Sequence, residues 1–92
     1  MNGEIIDQGA VWWPAGTPAQ EKVRFVFNRA CERRPAGVTC QDYPGGEALE
    51  VEPLGFEQTG MREWARYTAA VIRFPRPEQR GRSFRWRLYA DV

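Results

Sequence analysis

The closing stretch Phe84-Arg85-Trp86-Arg87-Leu88-Tyr89-Ala90-Asp91-Val92 decides the fold class. Phe84, Trp86, Leu88, Ala90 and Val92 alternate with Arg85, Arg87, Tyr89 and Asp91. Successive side chains of a strand point to opposite faces, so this pattern sets an apolar face against a core and leaves a polar face outside. The same period recurs from Lys22 to Asn28, where Val23, Phe25 and Phe27 alternate with Arg24, Val26 and Asn28. Val38 to Tyr43, "VTCQDY", reads as a short strand stopped by Pro44-Gly45-Gly46. Leu49 and Val51 alternate with Glu50 and Glu52 in a half-exposed strand that runs towards Gly55-Phe56.

Residues 61–74, "MREWARYTAAVIRF", carry two periods. Met61, Trp64, Ala65, Thr68, Val71 and Ile72 fall at helical spacing. The β-branched and aromatic run before Pro75 favours a strand over 65–74, with room for one helical turn ahead of it. The polar loop 75–82 then joins the last two strands as a hairpin. Residues 3–13 fit an edge strand or an arm lying across another element, and Pro14 to Gln20 is a Pro/Gly loop. The expected architecture is all-β: a small antiparallel β-sandwich of about six short strands with an extended N-terminal arm. The arm and its loop take residues 1–20, and the sandwich domain takes residues 21–92.

Ninety-two residues make one domain with a thin core, which oligomerisation would help to stabilise. The net charge of +1 drives the chain neither to nucleic acid nor to a membrane surface. No apolar run reaches the roughly 18 residues of a membrane-spanning helix, so no membrane insertion is expected. "MNGEIIDQGA" lacks the basic start and apolar stretch of a signal peptide. A chain that opens with Met and carries no export signal reads as a complete product of the virion or the host cytoplasm. Cys31 and Cys40 form no disulfide framework; a bridge between them needs the two on adjacent strands, and in a reducing cytosol free thiols are expected.

Little points to catalysis. The absence of His removes the commonest general base and metal ligand. Ser83 is the only serine, and no base is paired with it in sequence. Arg33 and Arg34 near Cys31 would lower a thiol pKa, but inert packing is the simpler role for both cysteines. Glu50 and Glu52 would share one strand face about 7 Å apart, a glycosidase-like separation on a face that belongs to no cleft. No catalytic residue, cofactor or metal is expected.

The basic residues are almost all arginine, which favours planar, bidentate and stacking contacts. Six of them (Arg73, Arg76, Arg80, Arg82, Arg85 and Arg87) fall between residues 73 and 87 against a single acid, Glu78. Acids cluster earlier, at Glu47, Glu50, Glu52, Glu57 and Glu63. A basic strand–loop beside an acidic strand fits self-complementary assembly, with Arg80, Arg82, Arg85, Arg87, Glu50 and Glu52 as interface candidates. Nucleic acid is the less favoured partner, because Phe84 and Trp86 face away from Arg85 and Arg87. Adjacent Trp12 and Trp13 cannot both point inward from an extended segment, so one should hold its own domain and the other reach for a partner.

The order of landmarks resembles the H-type lectin family. Gly3, Trp12 or Trp13, "VRFVF" (23–27), Pro35 before "GVTCQDY", Gly55-Phe56 and "FRWRLYA" (84–90) stand where that family carries a leading Gly, a Trp, an aromatic strand, a Pro turn, a Gly-Phe pair and a closing Trp strand. The resemblance implies a six-stranded sandwich, assembly as trimers and amino-sugar binding near subunit boundaries, and the family also appears in phage tail proteins. Asp42 stands about where such lectins place an acidic residue. The expectation is a non-enzymatic, oligomeric binding or structural module, a tail or capsid accessory component of a phage virion. One alternative is a lectin-like carbohydrate-binding domain with Asp42, Tyr43, Trp64, Arg66 and Tyr67 as the platform. Another is a small inhibitor or nucleic-acid-associated protein using the 73–87 arginines.

Overall fold

The computed structural model describes residues 3–90. Seven strands run β1 (Ile5–Val11), β2 (Lys22–Cys31), β3 (Gly37–Asp42), β4 (Ala48–Leu49), β5 (Glu52–Thr59), β6 (Arg66–Arg73) and β7 (Phe84–Tyr89), with one 3-10 turn at Pro77–Gln79. They form two antiparallel sheets, β1-β7-β3-β4 and β2-β6-β5, so the all-β antiparallel sandwich expected from the sequence is the fold. The alternation at Val92 lies outside the described residues.

The core sits between the sheets and is largely aromatic. Val23, Phe25 and Phe27 of β2, with Ala70 and Ile72 of β6, face Val38, Cys40, Phe84, Trp86 and Leu88 from the other sheet. Trp86 stacks on Phe25 with centroids 4.7 Å apart, and Phe84 meets Phe74 edge-on at 5.2 Å. The alternating positions read from the sequence are the buried ones in β2 and β7.

Three elements differ from expectation. The last two strands do not form a hairpin: β6 pairs with β2 and β5, while β7 pairs with β1 and β3. The connection 74–83, which holds Pro75 and Pro77, carries the chain from one sheet to the other. The acidic segment is split, with Glu50 between β4 and β5 and Glu52 at the start of β5, so the two glutamates do not share one strand. Residues 61–74 do follow expectation: a single turn, closed by the Trp64 N–H donating to the Met61 carbonyl at 2.8 Å, precedes a strand that begins at Arg66.

The third difference concerns residues 1–20. Of these, Ile5–Val11 form an edge strand hydrogen-bonded to β7 instead of a separate arm. Gly9 lies opposite Trp86, where a Cβ would stand 2.6 Å from the indole Cζ2, so only glycine lets β1 close over that ring. Asp7, beside a bulge, accepts the backbone N–H groups of Asn28 at 2.8 Å and Arg29 at 3.2 Å. The Asn28 side-chain amide donates to the Gln8 carbonyl at 2.7 Å. This clasp ties the edge of one sheet to the edge of the other. The following loop packs as well: Gly81, at φ +76°, lies so close that a Cβ would stand 3.2 Å from the Ala19 Cα.

Candidate functional site

Ser83 organises the end of the sandwich where β7 starts. Its hydroxyl accepts the Trp13 N–H at 2.7 Å and donates to the Trp13 carbonyl at 3.2 Å. Its carbonyl accepts the Tyr43 N–H at 3.0 Å. The Trp13 ring then meets Phe84 edge-on at 5.7 Å. Trp13 is thus half-buried against the core, whereas Trp12 is 67% exposed, so the pair divides inward and outward as extended geometry requires.

Tyr43, fixed by Ser83, lies beside the outer face of β7. The Arg85 guanidinium stacks over its ring at 4.7 Å, a favourable cation–π contact. Together with Gln8, Gly9 and Ala10 of β1 and with Arg87, these residues line an open groove of about 320 Å³. Strand register explains the convergence: Ala10 lies opposite Arg85 and Gln8 opposite Arg87. Asp42 is next to this groove but is turned to Arg82, 3.8 Å from its Nε.

The carbohydrate platform expected from the sequence is not brought together. Asp42 lies opposite Phe84, whose ring packs on Phe74 just beyond the end of β6. Tyr67 stands near the beginning of β6, opposite Cys31. Tyr67 and Phe74 are separated by about 23 Å of strand, and the two halves of the platform belong to different sheets. Trp64 is exposed in the β5–β6 turn, and Arg66 is 3.7 Å from Glu32. Trp64, Arg66 and Tyr67 therefore gather at one end, and Asp42 and Tyr43 at the other.

The arginine cluster divides too. Arg73 lies 3.8 Å from Glu52, Arg76 3.1 Å from Glu50, and Arg80 2.8 Å from Glu21. The acid–base complementarity expected between subunits is, for Glu50 and Glu52, satisfied within one chain. Arg80 also donates to the Phe74 carbonyl at 2.8 Å and the Pro75 carbonyl at 3.3 Å, which makes it a buttress for the crossover loop. Among the described residues, Arg85 and Arg87 have no acidic partner within 4.0 Å.

Elsewhere on the surface, Arg24 of β2 reaches across β6 to Glu57 of β5 at 2.8 Å. The hydrogen bond and charge of Arg24 hold the Glu57 carboxyl below the usual carboxylate range. Cys31 and Cys40 are free thiols. Burial pushes Cys40 up to about 12; burial first, then the charge of Asp7, raises Cys31. The lowering suggested by Arg33 and Arg34 is not what the Cys31 environment produces. Among the described residues no group of three or more His, Cys, Asp or Glu side chains is placed to hold a metal ion, and no helix is long and apolar enough to cross a membrane.

Asp7 carries no signal in the sequence, and Ser83 stands out there only as a lone serine without a base, not as the anchor of Trp13 and Tyr43. Their hydrogen-bond partners lie 21 and 70 residues away, so no local pattern marks them. Comparison with protein-family models, with curated proteins and with solved structures returned no match.

Proposed function

We propose that the protein is a non-enzymatic binding or structural module that acts as a homo-oligomer, with a trimer preferred. The observation that supports this most is Trp12. An indole that is 67% exposed leaves a large apolar area in water, and its neighbour Trp13 is pinned to Ser83 and Phe84. A pre-positioned aromatic side chain loses little freedom on binding, which is what an interface anchor requires. A second exposed group, Met61 at 75% and Trp64 at 66%, lies at the other end of the sandwich. Apolar groups at opposite ends suit a head-to-tail contact, which closes into a ring when the rotation permits. The resemblance to the H-type lectins, which trimerise and occur in phage tails, supplies the preferred stoichiometry. It also supplies the setting, a tail or capsid accessory component of a virion.

Light scattering on the purified chain tests this reading. The native protein should run as an oligomer, and Trp12→Ser and Trp64→Ser should each shift the mass towards monomer while leaving the far-UV circular dichroism of a folded β protein unchanged. A native protein that stays monomeric at high concentration would sink the proposal. Point substitutions are the right probe, because deleting residues 1–20 would also remove β1 from its sheet.

A further inference from the structure

We propose that the groove over β1 and β7 is a binding site for a small ligand carrying a phosphate or carboxylate, gripped between Arg85 and Arg87. The inference does not depend on self-assembly. It starts from the uneven treatment of one basic segment. Arg73, Arg76, Arg80 and Arg82 each have an acidic partner, whereas Arg85 and Arg87, on the outer face of β7, have none among the described residues. Each guanidinium carries five N–H donors in a planar fork suited to two-point contact with an oxyanion. Neither Arg85 nor Arg87 spends those donors on a hydrogen bond to the described residues.

The site is also shaped and preordered. Its volume of about 320 Å³ lies at the lower end of the range for small-molecule pockets. Arg85 is held over Tyr43 at 4.7 Å, and Tyr43 is itself fixed through its N–H to Ser83. The stacked face of Arg85 is thus occupied, and its donor edge remains open. Arg87 stands two residues along the same strand, about 7 Å away at the backbone, so two long side chains can converge on one anionic group. Ala10 opposite Arg85 keeps the floor low, and Gln8 opposite Arg87 adds an amide that can donate or accept beside the anion. β7, which carries both arginines, is paired on both sides, so their backbone does not have to be ordered on binding.

The test is a titration of the full chain followed by backbone amide NMR, using glucose 6-phosphate, glucuronate, inorganic phosphate and neutral glucose. Glucose 6-phosphate or glucuronate should shift the amides of Gln8, Ala10 and Arg85 to Arg87 at about millimolar concentration, and binding should weaken as salt rises. A preference for one of the two charged sugars identifies phosphate or carboxylate as the natural group. Arg85→Gln and Arg87→Gln should each weaken binding about tenfold or more, while Arg33→Gln, at the opposite end, should not. Both variants lie on the outer face, and their unchanged thermal midpoints verify the fold. Three results would overturn the proposal: equal binding of neutral glucose, no groove shifts with either charged sugar at about 10 mM, or shifts that survive both groove substitutions.

Discussion

Replacing Gly9 with Ala asks whether β1 belongs to the sandwich. The new methyl carbon would lie 2.6 Å from Trp86 Cζ2 and 2.9 Å from Cε2. Carbon atoms settle about 3.5–4.0 Å apart, so the strand or the indole must move by about 1 Å. The indole has little room, since Trp86 is 2% exposed, stacked on Phe25 at 4.7 Å and tilted against Phe27 at 6.0 Å. Overpacking of this kind costs about 1–3 kcal/mol. Alanine offsets some of it, because glycine in a strand interior is about 0.5–1 kcal/mol worse than alanine. The net expectation is a loss of about 1–2 kcal/mol, which lowers the melting midpoint by roughly 4–15 °C for a domain of this size. Urea and thermal unfolding, followed by tryptophan fluorescence, read it directly. Gly37→Ala in β3 is the control, because a Cβ there meets nothing within 4 Å. If residues 5–11 formed a free arm, Gly9→Ala would be neutral or slightly stabilising. Gly37→Ala should be neutral or slightly stabilising, and a Gly9→Ala variant that matches it would refute the packing of β1 on β7.

Two further outcomes follow from the same contacts. Cys40 has a folded pKa raised by burial from 9.0 to about 12, so its stabilising contribution is complete below pH 9 and fades as pH rises towards 12. On the order of 1 kcal/mol should be lost by pH 10, and Cys40→Val, measured by urea unfolding against pH, should lack this part of the slope. A native slope identical to that of Cys40→Val would contradict the burial of the thiol. Arg80→Met removes donors from the Phe74 and Pro75 carbonyls and a partner from Glu21, and should cost about 1–3 kcal/mol in the same assay. Stability unchanged by that substitution would mean that the arginine is not the buttress of the crossover loop.

The strands themselves were legible because burial of one face imposes a period of two, and that period survives in the bare sequence. Val23, Phe25, Phe27, Phe84, Trp86 and Leu88 are core residues where the alternation placed them. That Trp12 and Trp13 point opposite ways follows from the same geometry, but which of them turns inward is decided by the Trp13 contacts with Ser83 and Phe84. Pairing was not legible. Alternation says which way a side chain points from its own strand and nothing about which strand lies alongside, so β6 and β7, neighbours in the chain, became members of opposite sheets.

The groove was half visible. Arg85, Arg87 and Tyr43 were singled out as separate features, two at an interface and one on a sugar platform. Their meeting depends on Ser83 fixing Tyr43 and on β1 supplying Gln8 and Ala10, both long-range matters. The ion pairs show the same division. The sequence alone determined that this is a β protein with one apolar face per strand and more arginine near its end than local acid can neutralise. Only the tertiary structure decided which of those charges are already paired. A charge is neutralised by whatever lies within a few ångströms in space, and Glu21, Glu50 and Glu52, remote in the chain, come within reach of Arg80, Arg76 and Arg73 but not of Arg85 or Arg87.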